Sequence, residues 1–302
     1  MAVPPGPGTS NQAGTPTCFR HPGRETYVSC VRCGRPACPD CLRSAAVGQQ
    51  CVDCVREGNR GVRRAGAVFG GRATANAVVP WALVGINIAL YIVELARPGI
   101  ANDWAMLGQA RILPGGPIAG VAQGQWYRLI TAEFLPPPGG GGTLDIAFNM
   151  WALILIGPAL ERMLGRLRYL TVYLVSAVGG SVMFYLIAQP NVEALGASGA
   201  VFGLFGAWFV VSKRLRLDIR GIVVLIGINL AFSLLYRNTI AWQDHVGGLI
   251  VGVLITAAFA YAPRKNKLAI QIAAAAAVLI ILVVIVVLRS DNLTAQFAQS
   301  LG

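Results

Sequence analysis

A run of small residues from Gly196 to Gly203 carries a single hydroxyl, at Ser198, where an apolar helix is predicted to begin. On that helix Gly199, Gly203 and Gly206 lie near one face, so another helix backbone can approach very closely. A serine at such a contact becomes a nucleophile if a base reaches it. For this pattern alone, a helix cap or a bridge between two helices is the commoner role.

The base is predicted at His245, the one histidine outside the N-terminal region. It stands at the start of another apolar helix, in which Gly248 and Gly252 form a second small-residue face. Ionisable side chains are costly within a membrane and usually functional. Two glycine-faced helices, one with the serine and the other with the histidine, therefore predict a nucleophile and a base that can meet.

The composition predicts what kind of protein positions these residues. Of the 302 residues, 55% are hydrophobic, and the mean hydropathy is +0.60. This is typical of an all-α polytopic membrane protein, because several apolar runs approach the length of a bilayer span. The net charge of +12 comes mostly from short clusters between those runs, so nucleic acid is not a predicted partner. The chain starts without an apolar segment, so no cleavable signal peptide is predicted.

Seven apolar spans are predicted. They are Val78 to Leu95, Leu144 to Leu160, Leu167 to Ile187, Ser198 to Val211, Ile219 to Leu235, Ala241 to Tyr261 and Leu268 to Leu288. The fourth is short for a bilayer of ~30 Å. We therefore expect its neighbours to shield it and its polar start to face a water-filled cavity.

The basic clusters predict the orientation. They comprise Arg162, Arg166 and Arg168; Lys213, Arg214, Arg216 and Arg220; Arg264, Lys265 and Lys267; and the linker residues Arg56, Arg60, Arg63, Arg64 and Arg72. All fall on one side if every span crosses, and the positive-inside rule makes that side cytoplasmic. The N-terminus is then cytoplasmic and the C-terminus external, in a protein expected in the plasma membrane and in contact with its lipids.

The expected organisation has five parts. These are a disordered Pro/Gly/Ser/Thr-rich tail over 1–17, a metal-binding module over 18–54, a basic linker over 55–77, the membrane domain over 78–288 and a short external tail over 289–302.

The N-terminal module holds all seven cysteines of the chain. With one histidine they form four ligand pairs, Cys18 and His21, Cys30 and Cys33, Cys38 and Cys41, and Cys51 and Cys54. Eight ligands make two closed tetrahedral zinc sites, and a module this small folds only with its metal. Iron at the cysteine sites is an alternative. A disulfide framework would need an oxidising compartment and would leave one cysteine unpaired.

This stretch resembles a B-box-type zinc finger, in which ligand pairs interleave between two metals. The resemblance implies one zinc on Cys18, His21, Cys38 and Cys41 and the other on Cys30, Cys33, Cys51 and Cys54. The final cysteine pair departs from the histidines usual in B-boxes. We expect the module to contact a cytosolic protein partner or to regulate activity, with an inert cap as the alternative.

Three polar residues share one depth in the membrane. Asn149, Ser198 and His245 each lie within about two turns of the outer end of an inward-running span. His245 would take the proton of Ser198 during attack on a carbonyl and then protonate the leaving amine. Asn149 and the Ser198 N–H would stabilise the oxyanion, and Phe202 would stack on the imidazole. For Asn149 alone, a helix-helix hydrogen bond is the alternative.

These motifs together resemble the rhomboid family of intramembrane serine proteases. The matching elements are Gly196-Ala197-Ser198-Gly199 for the GxSG motif, His245-x2-Gly248-x3-Gly252 for the histidine helix, Asn149 for the oxyanion asparagine, Trp126-Tyr127-Arg128 for the Trp-Arg element of the first external loop, and Gly157-x3-Glu161-x3-Gly165 for the motif that ends the second span. The resemblance covers about Val78 to Leu288.

The resemblance implies a six-helix bundle around a Ser/His dyad, here with one additional C-terminal span. It also implies cleavage of single-span membrane proteins near the outer face, with no cofactor for catalysis. Arg128 is expected to bind loop carbonyls or lipid headgroups. Glu161 is expected to pair with a nearby arginine or with loop backbone.

One departure from the family pattern is Asp145, where many rhomboids carry a histidine four residues before the asparagine. An ionised carboxylate there would oppose a developing oxyanion unless it is protonated, turned away or paired. The alternative function is a catalytically silent rhomboid-like protein that binds membrane clients. A transporter is a more distant alternative, because the two halves show no repeat.

Overall fold

The computed structural model describes residues 15–60, 67–70, 76–97, 99–111 and 116–299. The chain divides into two compact units, Met1–Arg64 and Ala65–Gly302. Most of the predicted N-terminal tail, and the linker segments 61–66 and 71–75 with Arg63, Arg64 and Arg72, lie outside the described residues.

The N-terminal unit is built from short strands around its cysteines. Strand β1 (Thr17–Cys18) pairs with β2 (His21–Glu25), and β3 (Leu42–Ala45) pairs with β4 (Gly48–Cys51), both antiparallel; helix α1 (Val52–Arg60) follows. Its buried core consists of six of the cysteines together with Ala37 and Leu42. So small an apolar core needs a further source of stability, and metal ligation by these cysteines could supply it.

Helix α1 includes the first residues of the segment predicted as linker. Asp53 lies in its first turn and Arg60 in its last, so both charges favour the helix dipole. Cys54 on the same helix is buried among the other ligands. Helix α1 therefore continues past Cys54 into the segment predicted as linker.

The larger unit is mainly helical. Its helices are α2 (Val79–Ala96), α3 (Ile100–Trp104), α4 (Arg128–Thr131), α5 (Gly140–Leu164), α6 (Arg166–Ile187), α7 (Ser198–Leu215), α8 (Arg220–Leu235), α9 (Trp242–Tyr261) and α10 (Lys267–Gln299). Two-residue strands tie the loops together: β5 (Met106–Leu107) pairs with β8 (Glu193–Ala194), and β6 (Ala110–Arg111) with β7 (Ile118–Ala119).

The seven predicted spans correspond to α2 and α5 to α10, which confirms the all-helical membrane class. Five of them, α2, α5, α6, α9 and α10, are long and apolar enough to cross a membrane. Helix α10 continues to Gln299, past the predicted end at Leu288. Polar residues such as Arg289 and Asp291 end the apolar run there but do not end the helix.

Helix α7 lies at the centre of the bundle, and most of its residues are buried. A Cβ atom added at Gly248 would overlap the carbonyl oxygen of Gly199, and one added at Gly206 would lie 2.8 Å from the Leu249 carbonyl oxygen. The two predicted glycine faces therefore meet, and α7 and α9 approach closer than any larger residue would allow. This packing shields the short fourth span, as expected.

Candidate active site

A cavity of about 620 Å³ opens beside the first turns of α7 and α9. Helices α5, α6 and α8 and the loop before α5 complete its wall. The predicted catalytic residues Asn149, Ser198 and His245 all line it, and so does Phe202. The structure therefore brings together at one level the residues that the sequence placed on three separate spans.

Ser198 is the first residue of α7, and the preceding turn depends on Gly196. Gly196 has a φ of 137°, a conformation that side chains disfavour. Its N–H donates to the Ala132 carbonyl oxygen at 3.0 Å, which ties the turn to the loop before α5. The Ser198 hydroxyl donates to Asp244 Oδ2 at 3.5 Å.

His245 is buried against Phe202. The two rings stack with centroids 4.3 Å apart and planes 9° apart, the arrangement expected from the sequence for this pair. On the other side, His245 Nδ1 lies 2.7 Å from the Ser233 hydroxyl oxygen. The imidazole is therefore held both by its face and by one ring nitrogen.

The partner of Ser233 decides which ring nitrogen of His245 carries the proton. The Ser233 hydroxyl donates to the Asn229 carbonyl oxygen at 2.7 Å. With its proton committed there, Ser233 must accept from Nδ1–H. A neutral His245 then has an unprotonated Nε2, the form required of a general base.

No hydrogen bond joins Ser198 to His245, both of which lie in the described part of the chain. Each is engaged elsewhere, Ser198 with Asp244 and His245 with Ser233. Catalytic hydrogen bonds are often loose before substrate binds and tighten in the complex. The predicted nucleophile and base thus share a cavity without being joined directly.

Asn149 lies one helical turn after Asp145 on α5, and its amide donates to the Asp145 carboxyl. Asp145 also lines the cavity, where its Oδ2 would lie 3.3 Å from a Cβ atom added at Gly196. Of the three expectations for Asp145, the structure shows a paired carboxyl rather than one turned away. The pairing fixes the Asn149 side chain at the cavity wall.

Arg128 and Glu161 lie outside this cavity and organise the backbone. Arg128 is 1% exposed, and its Nη1 donates to the carbonyl oxygens of Asn102 at 2.9 Å and Ala105 at 2.7 Å. Glu161 is fully buried, accepts the Val78 and Val79 N–H groups at 2.9 Å each, and pairs with Arg166 at 3.4 Å. One residue shapes the external loop and the other caps α2.

Sequence reasoning missed three neighbours of the site. Ser233 and Asn229 are polar residues one turn apart in the otherwise apolar α8, a spacing that marks one helix face. Glu133 is a lone acid in an apolar stretch, and it is 1% exposed beside the first turn of α7. The acidic residue within this apolar stretch was the available sequence signal for Glu133.

The N-terminal ligands form two groups that can each hold a metal ion. One contains Cys18, His21, Cys38 and Cys41, and the other contains Cys30, Cys33, Cys51 and Cys54, with ligand atoms within 4.8 Å of one another in each group. These are the interleaved sets that the resemblance implied. All seven cysteines are free thiols, so the disulfide alternative is not supported.

The ligand spacing fits a tetrahedral metal. His21 Nδ1 lies 3.7 Å from Cys18 Sγ, 3.4 Å from Cys38 Sγ and 3.5 Å from Cys41 Sγ. Ligands bound at about 2.0–2.3 Å to one tetrahedral ion lie about 3.5–3.8 Å apart. The four donors are therefore already at the separation that a single ion requires.

Arg35 supports the second ligand group and was not predicted. Its Nε donates to Cys33 Sγ at 3.4 Å, and its guanidinium lies over the Phe19 ring at 4.4 Å. The hydrogen bond from Arg35 lowers the pKa of the Cys33 thiol. The thiolate that it favours is the form that binds metal.

The fold and the cavity together define a polytopic membrane protein with a serine and a histidine in one cavity. A family model described as the Rhomboid domain matches residues 123–262. YdcA of Bacillus subtilis (strain 168) is 37% identical over 142 residues, which are 45% of this chain and 69% of YdcA. The chain therefore belongs to the rhomboid family and is an integral membrane protein.

The match with this chain covers a different share of each of two other relatives. Rhomboid protease GluP of Bacillus subtilis (strain 168) is 41% identical over 143 residues, which are 46% of this chain and 27% of GluP. Rhomboid protease AarA of Providencia stuartii is 25% identical over 217 residues, which are 62% of this chain and 74% of AarA. The chain thus spans well under two thirds of GluP and about three quarters of AarA.

Proposed function

We propose that this chain is an intramembrane serine endopeptidase that cleaves single-span membrane proteins near the outer face of the membrane. The convergence of Ser198, His245 and Asn149 on one cavity carries the proposal. Membership of the rhomboid family, with GluP and AarA named as rhomboid proteases, supports the reaction class.

Ser198 is the nucleophile and His245 the general base. The Ser198 hydroxyl turns from Asp244 toward His245 Nε2, which takes its proton as the oxygen attacks the scissile carbonyl carbon. The Ser198 N–H at the start of α7 and the Asn149 amide donate hydrogen bonds to the carbonyl oxygen and stabilise its negative charge. The imidazolium then gives its proton to the leaving amine.

Water completes the cycle by hydrolysing the acyl-enzyme, with His245 again as base. Ser233 supports both steps, because its hydrogen bond to Nδ1 keeps Nε2 free to accept the proton. Phe202 holds the ring plane through both transfers. Arg128 and Glu161 act at a distance, by shaping the external loop and the start of α2.

The basic clusters support a cytoplasmic N-terminus and an external C-terminus in the plasma membrane. Asn149, Ser198 and His245 then lie nearer the outer face, where a substrate helix must unwind to expose a peptide bond. The metal-binding module lies in the cytoplasm, where it is available to a soluble protein partner.

The test is cleavage of a single-span reporter by purified protein in liposomes, with a fluorophosphonate probe as a second readout of the serine. Wild type is compared with Ser198→Ala and His245→Ala, each checked for folding. Ser212→Ala is the matched control, because Ser212 is a buried serine on the same helix outside the cavity. We expect both site variants to lose cleavage while the control retains it. Equal cleavage by wild type and Ser198→Ala would refute the proposal.

A catalytically silent client-binding protein is the second candidate. Two observations favour it: the Ser198 hydroxyl bonds Asp244 rather than His245, and Asp145 places a carboxyl beside the oxyanion asparagine. Folded wild type that captures the reporter but neither cleaves it nor labels with the probe would establish this function instead.

We also propose that the two N-terminal ligand groups hold structural zinc ions. The spacing of the His21 and thiol ligands fits a tetrahedral ion of that size. Neither group leaves an open position, so they supply stability rather than chemistry. Elemental analysis of purified protein is expected to give two zinc ions per chain, and iron in their place would refute the assignment.

A further inference from the structure

Two buried carboxyl groups lie against the first turn of α7 and have no part in the proton transfers proposed above. Glu133 comes from the loop before α5, and Asp244 from the first turn of α9; they are 1% and 6% exposed. Asp244 accepts the Ser198 hydroxyl, and Glu133 accepts the Ser181 hydroxyl at 3.3 Å. Both carboxyl groups therefore contact the nucleophile or its immediate surroundings.

The two carboxyl groups cap the helix that carries the nucleophile. Ala197 at the start of α7 makes no side-chain capping bond. Instead Glu133 Oε2 accepts the Ala200 N–H at 3.1 Å, and the Asp244 carboxyl accepts the Gly199 N–H. First-turn N–H groups need such acceptors, and negative charge there favours the helix dipole. The Ser198 N–H is not among the groups that they occupy.

The space for Asp244 is made by glycines on two helices. A Cβ atom at Gly199 of α7 would lie 2.6 Å from Asp244 Oδ2, and one at Gly180 of α6 would overlap Oδ1. The Asp244 carboxyl group therefore packs directly against the backbones of α6 and α7 at these two glycines. A shift of Asp244 would shift the first turn of α7 with it.

The carboxyl groups of Glu133 and Asp244 are hydrogen-bonded to each other. Two adjacent buried carboxyl groups cannot both ionise without a large repulsion. Burial, followed by the charge of Asp244, raises the pKa of Glu133 well above its usual range. The other titratable groups that face the pair are Asp145 on α5, Tyr173 on α6 and His245 on α9.

We propose that Glu133 and Asp244 share one proton and act as positioning residues that hold Ser198 for attack. This inference rests on the proposed protease function for its kinetic readout. With the proton in place, the pair caps α7. When the proton is lost, the two carboxylates repel each other and displace the first turn of α7. Activity is therefore lost as pH rises through the titration of the pair, whereas protonation of His245 removes activity at low pH.

Reporter cleavage across a pH series tests the proposal with paired variants. Glu133→Ala removes the cap, and we expect kcat to fall about ten- to a hundredfold with little change in KM. Glu133→Gln keeps a neutral donor and acceptor, so it should recover most of that kcat and lack the alkaline loss. Glu193→Gln, at an exposed carboxyl on β8, is the matched control and should keep the wild-type profile. An unchanged alkaline loss in Glu133→Gln would overturn the proposal.

Infrared spectroscopy separates this proposal from the protease proposal. At neutral pH the wild-type protein should show the carbonyl stretch of a protonated carboxylic acid, and Glu133→Gln should lose that band while Glu193→Gln keeps it. Wild type without the Glu133-dependent band would refute the shared proton even if cleavage is normal. Wild type with the band but without Ser198-dependent cleavage would support the carboxyl pair and refute the protease function.

Discussion

The two units of this chain bury polar groups in opposite ways. In the N-terminal unit most of the buried core residues are cysteines that could bind metal through their thiols. In the membrane unit the core is apolar and glycine-packed, and the candidate catalytic groups line one cavity at the ends of the central helices. Stability in the first unit should therefore follow the metal, and in the second it should follow backbone contact.

Metal removal should have the largest effect, and only on the N-terminal unit. Replacing Cys30 and Cys33 by serine leaves the second ligand group with two thiols, so we expect that unit to unfold completely. Limited proteolysis and zinc content measure the unfolding, and reporter cleavage in detergent is expected to persist. Loss of cleavage in the same variant would show instead that the N-terminal unit supports catalysis.

The glycine contact should be the corresponding weak point of the membrane unit. Gly248→Ala forces a methyl group into the Gly199 carbonyl, so α7 and α9 must separate, at a cost of about 1–3 kcal/mol or more in unfolding free energy. Gly227→Ala is the matched control, because a Cβ atom there meets nothing within 4 Å. Thermal unfolding in detergent measures both variants. Equal stability of the two would show that backbone contact is not what holds the bundle.

Much of this organisation could be predicted because it depends on local sequence patterns. The third predicted span ends at Ile187, as α6 does. The ligand spacings identified the four ligand pairs, and the resemblance to a B-box implied how those pairs group around two metals. The end of α10 could not be predicted, since hydropathy marks the membrane boundary rather than the helix end. Glu133 and Ser233 were missed because their importance depends on which side chains face the cavity across helices distant in sequence.

Substitution of Ser233, which lines the cavity, should lower kcat more than substitution of a helix serine outside the cavity. Ser233→Ala removes the acceptor for His245 Nδ1–H, so the imidazole can adopt the wrong tautomer, and kcat should fall about tenfold to a hundredfold. Ser290→Ala is the control, because Ser290 makes the same bond to the carbonyl four residues earlier but lies outside the cavity. Reporter kinetics at fixed pH measure the difference. Equal kcat values for Ser233→Ala and Ser290→Ala would show that Ser233 has no role in catalysis.

The smallest effect on kcat is expected for substitutions of Asp145, because its carboxyl group takes no part in the proposed reaction. Asp145→Asn keeps a partner for the Asn149 amide and can never carry a negative charge near the developing oxyanion, so kcat should rise by about two- to fivefold. Asp145→Ala removes the partner as well and should lower kcat, because Asn149 is no longer oriented. A fall in both variants would show instead that the carboxylate itself holds Asn149. In that case the site in the membrane unit would depend on a negatively charged side chain for its geometry, as the N-terminal unit is proposed to depend on cysteine thiolates.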